Sequence, residues 1–228
     1  MTATQYIYDR FEFSDSYKQE LVEFFRHKSN AEIGGYRMYD GSGSHWMQNA
    51  VEFADLVFAL KAYERDTGKK LKRFLEVGFS AGFTNTILHK FFQFDEIVAV
   101  DWVAPWGIST DALVANMRFK NLVYIAGDST DPNVVRKAAM FGPFDLIHVD
   151  GGHEYDVVKS DHANYAPLLA KDGVMAHHDI YASDHAGCAK FWREFRADPA
   201  TDARWRVEEY FDAGNHTDYG IGALFPRS

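Results

Sequence analysis

This sequence predicts an α/β fold: a doubly wound, Rossmann-like sheet of seven strands, mostly parallel, with an antiparallel last strand and an N-terminal helical cover. Three observations carry it. From Arg73 onward short apolar runs recur, "RFLEV", "EIVAVD", "LVYIA", "FDLIHVD" and "GVMAHH". The segments between them are about twenty residues long, enough for crossover helices. The last two runs, "RWRVEEYF" and "YGIGALFP", are joined by a link too short for a crossover, which suits an antiparallel pair. Near-continuous apolar strands alternating with helices mean a parallel sheet covered on both faces.

The elements come in this order. The first fifty residues are aromatic and polar, with one helical stretch near Ser16 to His27 and a glycine-broken loop, "GGYRMYDGSGSHW". Residues 1–47 read as a cover or lid on a domain formed by residues 48–228. Tyr36, Tyr39 and Trp46 of the loop are candidates for lining a pocket or for packing. In "QNAVEFADLVFALKAYERDTG", Phe53, Leu56, Val57, Leu60 and Tyr63 share one stripe at helical spacing, and Gly68 is positioned to end the helix. "TDPNVV" offers another helix start, with Pro132 in its first turn.

Composition bounds the rest. At 228 residues the chain suits one large domain or one domain with an appendage. A formal net charge of −9 argues against wholesale binding of a nucleic-acid backbone. Cys188 is the only cysteine, so neither an intrachain disulfide nor a multi-cysteine metal site can form. The N-terminal "MTATQYIYDRFEFSD" has no apolar core of signal-peptide length, and no run approaches the ~18 apolar residues of a membrane span. The expectation is a soluble cytoplasmic protein; self-association into a homo-oligomer is left open.

Sheets of this kind bind ligands outside the carboxyl ends of their strands, and polar residues gather there. The first strand ends in Glu76-Val77-Gly78-Phe79-Ser80-Ala81-Gly82. A carboxylate inside an apolar run is costly unless something polar pairs with it. Gly78 permits a sharp turn, and Gly82 permits close approach to a ligand or to the next helix. The second strand ends in Asp101-Trp102: the acid can accept both hydroxyls of a ribose, and the indole can cover an adenine face or pack under a helix. The third leads to Gly127-Asp128-Ser129, which can bond an adenine edge, cap the next helix, or both. The fourth ends in Asp150-Gly151-Gly152-His153 and the fifth in His177-His178-Asp179.

On these residues the chain resembles the class I S-adenosylmethionine-dependent methyltransferases, and within them the macrocin O-methyltransferase type of small-molecule O-methyltransferases. The resemblance runs from about Gln48 to the C-terminus. "EVGFSAG" is similar to the cofactor loop E/D-x-G-x-G-x-G, with Ser80 at the usual middle glycine. "VDGGHEYDVVKSD" matches the pattern IDGxHxYxxVxxD, and "LLAKDGVMAHHDI" resembles the fifth-strand signature, with His178 where some relatives have a second acid. The resemblance implies S-adenosylmethionine as cofactor and Glu76 as the acid that positions its amino-acid end. It also implies metal ligation by Asp150 and Asp179, His153 as base, and Gln48 near the cofactor. A dinucleotide-binding dehydrogenase competes, but its G-x-G-x-x-G turn is absent; the sequence offers G-x-x-x-G.

Methyl transfer to a hydroxyl needs alignment of donor and acceptor and management of a proton. A divalent ion or a general base can supply the latter. Asp150 and Asp179 offer oxygen ligands for magnesium, and His178 would add a nitrogen. His153, three residues after Asp150, is the natural proton acceptor. Bland readings stand beside these. His177 reads as facing the packing of the sheet and His148 as a satisfied core residue; Asp156 and Asp161 read as a solvated helix face, although Asp161 belongs to the family pattern and can brace the site. His185 and Cys188 read as helix-start and packing residues. The function expected is metal-assisted O-methylation of a small molecule such as a sugar or other natural product. The alternatives are a metal-independent methyltransferase acting on nitrogen or a glycan, and a non-catalytic adenosylmethionine or nucleotide sensor.

Overall fold

The computed structural model describes residues 3–27, 48–80, 82–102, 121–181, 186–214 and 219–227. Two helices open the chain, α1 (Ala3–Asp9) and α2 (Asp15–His27); the first was not anticipated from periodicity. The Tyr17 hydroxyl donates to the Ile7 carbonyl and ties one helix to the other. Helix α3 (Ala50–Thr67) starts where Asn49 Oδ1 accepts the Val51 and Glu52 amides, at 2.8 and 3.4 Å. It ends at Gly68 in the left-handed conformation, as the sequence predicts. The remaining order is β1 (Arg73–Val77), α4 (Phe83–Phe92), β2 (Glu96–Asp101), β3 (Leu122–Ala126), α5 (Pro132–Ala139), β4 (Phe144–Val149), α6 (Tyr155–Tyr165), β5 (Leu169–His178), α7 (Ala186–Ala197), α8 (Pro199–Arg204), β6 (Trp205–Tyr210) and β7 (Ile221–Pro226). Asp131 caps α5, with Pro132 at its first position.

The seven strands run β3-β2-β1-β4-β5-β7-β6, parallel except for β7, which is antiparallel to both its neighbours. Strand alternation divides the core in two. Phe74, Leu146, Val174 and Phe225 face one side, under the apolar stripe of α3 (Phe53, Leu56, Val57, Leu60) and the aromatic residues of α1, α2 and α4. Leu75, Ile147, Met175 and Leu224 face the other side, with Val134, Tyr165 and Trp192. The described part of the expected cover thus shares a core with α3 and α4. Tyr8, for example, packs edge-on against Phe24 and Phe91.

The alternation also fixes where polar side chains go. Glu76 pairs in register with His148, and His148 with Ala176, so Glu76, His148 and His178 lie on the α3 side of the sheet, near the carboxyl ends of their strands. Among the described residues no helix is long and apolar enough to cross a membrane. Tyr36, Tyr39, Trp46, His185 and Ala81 lie outside the described residues.

Candidate active site

On the β1 side, Gly78 is the tightest point. Its φ is +91°, and a Cβ there would lie 1.8 Å from the Asp150 carbonyl oxygen. The glycine is needed where β1 and β4 leave the sheet side by side, with the Asp150 amide bonded to the Val77 carbonyl at 2.8 Å. Ser80 takes a left-handed φ of 47°, uncommon for a residue with a side chain. Its amide donates to Asp101 Oδ2 at 2.6 Å, and the Phe79 amide bonds the same carboxyl. Asp101 therefore anchors the glycine turn, a contact the sequence reading did not include. Burial pushes its carboxyl up and these two amides pull it back. Gly82 caps α4. Glu76 is buried, and neither its Oε2 nor Asn85 Nδ2 has a hydrogen-bond partner among the described residues. Burial first, and then the Asp150 and Asp101 charges, hold its carboxyl well above the usual range.

Trp102 is 61% exposed at the end of β2. Asp128 folds back on its own turn, accepting the Thr130 amide and hydroxyl at 2.8 and 2.7 Å. Gly127 packs on Val134. The Ser129 carbonyl accepts the Tyr165 hydroxyl at 3.0 Å. Asp161, expected on a solvated face or bracing the site, is fully buried with neither carboxylate oxygen hydrogen-bonded among the described residues; burial raises its pKa to about 6.

On the β4–β5 side, Asp150, His153 and Asp179 converge, with one ligand atom from each within 4.8 Å of the others. His153 Nε2 is 3.1 Å from Asp179 Oδ2. His178 stands differently from its expected place as a ligand. It is buried between the acids, Nδ1 3.1 Å from Asp150 Oδ1 and 3.3 Å from Asp179 Oδ2, under the Tyr219 ring at 5.5 Å. It is not in the converging group of Asp150, His153 and Asp179, and neither of its ring nitrogens makes a hydrogen bond among the described residues. Burial disfavours the imidazolium, but the two acids outweigh it and raise its pKa to about 10. Reciprocally, burial opposes ionisation of Asp150, and His178 overrides it and holds the carboxyl down. Asp179 has a left-handed φ of 59°, and its Oδ1 is buried without a partner among the described residues.

Other expectations resolve residue by residue. His177 packs inside, as expected, 3.0 Å from His162 Nδ1. Cys188 is buried in packing. His148 is buried, but neither ring nitrogen has a hydrogen-bond partner among the described residues, so it is not the satisfied core histidine expected. Burial lowers its pKa to about 4. Gln48 donates to Asp150 Oδ2 at 2.9 Å. Sequence reasoning missed that contact and the Tyr219 stack. Both span long separations that local pattern does not encode.

Residues 75–180 match a family model described as a methyltransferase domain. A stretch of 54 residues is 41% identical to the uncharacterized protein y4gI of Sinorhizobium fredii, covering 23% of this chain and 6% of that protein. Among solved structures, the chain is similar to the MycE methyltransferase of the mycinamycin biosynthetic pathway in complex with Mg and SAH (TM-score 0.53, 17% identity, 82% of this chain and 56% of that one). It is also similar to an O-methyltransferase from Bacillus cereus in complex with SAH (TM-score 0.55, 15% identity, 97% and 96%). Those identities speak to the fold, and the family match speaks to the domain. Residues 75–180 thus match a methyltransferase domain, and the chain has the Rossmann-like fold of the solved methyltransferases it is similar to.

Proposed function

We propose that the protein transfers a methyl group from S-adenosylmethionine to an oxygen of a small molecule such as a sugar or other natural product, assisted by a divalent metal. The carrying observation is the convergence of Asp150, His153 and Asp179 on the same strand-end rim as Glu76 and Asp101. Two carboxylates suit magnesium or a similar ion, and an imidazole among the ligands would tilt the site toward a transition metal. Asp179 Oδ1, buried and unpartnered, calls for a cation or donor. Glu76 Oε2 makes the same demand on the cofactor side. Bound, the sulfonium supplies an activated methyl group and the metal supplies charge that favours the ionised acceptor hydroxyl.

The chain's residues supply alignment and proton handling. Asp101 fixes the Ser80 turn against the cofactor, and Glu76, Gly78, Gly82, Trp102 and Gly127–Ser129 complete that side. Asp150 and Asp179 hold the metal, oriented by Gln48 and His178. His153 keeps a proton on Nε2 against Asp179 and takes the acceptor's proton at Nδ1. A second reading, His153 as third metal ligand, is favoured by its place in the converging group. Residues 1–47 are proposed as the cover, with Tyr36, Tyr39 and Trp46 as candidates for acceptor recognition. A cytoplasmic setting and the absence of a nucleic-acid partner are part of this reading; the −9 charge supports the second.

Asp101→Ala is expected to raise the dissociation constant of adenosylhomocysteine about tenfold or more, on the scale of a lost charge-assisted bond; calorimetry showing unchanged affinity in the folded variant would remove Asp101 from the site. A working acceptor can be found by screening sugars and phenols for release of adenosylhomocysteine. With it, a chelator should abolish turnover and leave adenosylhomocysteine binding nearly intact, whereas full activity in chelator would mean that the aspartates hold no metal. His153→Ala should cut turnover roughly a hundredfold, the scale of general base catalysis, with Mn²⁺ and cofactor affinities held. Loss of Mn²⁺ affinity instead would make His153 a ligand, and unchanged turnover would make it structural.

A further inference from the structure

We propose that Glu52, on the first turn of α3, is a positioning residue for the exit of β5, where Asp179 lies. Glu52 is 2% exposed. Its Oε1 accepts the Asp212 amide at 3.1 Å and its Oε2 the Gly220 amide at 2.9 Å. Those two amides stand just after β6 and just before β7, so one carboxylate ties the end of β6 to the start of β7. Asn49 reinforces the clamp from the α3 cap, its Nδ2 3.3 Å from Asp212 Oδ2, and Arg26 approaches the same oxygen to 3.6 Å.

The residues just before β7 in their place hold the two residues after Asp179. The Gly220 carbonyl accepts the Ile180 amide at 3.3 Å and the Tyr219 carbonyl the Tyr181 amide at 3.0 Å. The Tyr219 ring lies over His178 with 24° between the planes, and Phe211 meets Tyr181 edge-on at 5.3 Å. Asp179 itself sits at a left-handed φ, a conformation that persists only when its surroundings enforce it. The start of α3 therefore grips both acids of the site: Asp150 directly, through Gln48, and Asp179 indirectly, through Glu52 and the residues just before β7. The structural claim stands on these bonds; only its consequence for a metal rests on the function proposed above.

Glu52→Gln replaces one acceptor oxygen by a donor that opposes an amide N–H, which breaks one jaw of the clamp. Two measurements test it. In the metal-free protein, amide hydrogen exchange at Ile180 and Tyr181 should accelerate about tenfold relative to the distant Ile97 amide, on the scale of one lost hydrogen bond. Mn²⁺ affinity, read by electron paramagnetic resonance, should fall about tenfold, the same scale, while calorimetric affinity for adenosylhomocysteine holds. Unchanged exchange at Ile180 and Tyr181, acceleration shared equally by Ile97, or parallel loss of both affinities would overturn the proposal. Failure of the wild type to bind Mn²⁺ would overturn the metal reading and leave the exchange result to decide the role of Glu52. If Glu52→Gln does not fold, Glu52→Asp keeps the charge but shortens the reach, and should give the same pattern at smaller amplitude.

Discussion

The contact on which the rest of the site depends is the His178 ring set between Asp150 and Asp179. Two carboxylates brought together repel and resist joint ionisation. A buried imidazolium between them relieves that repulsion and draws both to one point. His178 has a raised pKa, so its contribution to stability is whole below the unfolded value near ~6.5 and fades as pH rises through about 10. Asp150 has a depressed pKa, so its contribution is present above the ordinary carboxylate range and fades only as pH falls below it. The contact is therefore intact across neutral pH.

That geometry is a consequence of strand parity. Glu76, His148 and His178 lie on the sheet face that elsewhere carries Phe74, Leu146 and Val174. Placing polar groups on such a face costs free energy wherever a partner is missing. Here the unpartnered atoms, Glu76 Oε2 and both nitrogens of His148 among them, cluster towards the carboxyl ends of the strands. Locally the rule of an apolar interior gives way where a ligand site is expected, and the large aromatic core beneath α1–α4 offsets the loss.

The sheet was legible in the sequence because its strands are short apolar runs with polar punctuation, and because a short link forces β6 and β7 to pair. The rim was legible for the same reason: residues at strand ends share a rim whatever the details of packing. The division of labour among its side chains was not. His153 and His178 each lie close in sequence to an aspartate, and pattern cannot say which ring turns inward. The grip on Asp150 depends on Gln48, 102 residues away, and the burial of Asp161 on how α6 packs. Such contacts are products of the tertiary fold, not of local spacing.

The charge state of His178 is the most direct measure of this account. In uniformly ¹⁵N-labelled, metal-free protein at pH 8, long-range proton–nitrogen correlation should show both His178 nitrogens at imidazolium shifts, since the two aspartates raise its pKa to about 10. His178→Asn would identify the signal. A neutral His178 tautomer at that pH would mean that no buried cation holds Asp150 and Asp179 together, and the account of the site built on that contact would be wrong.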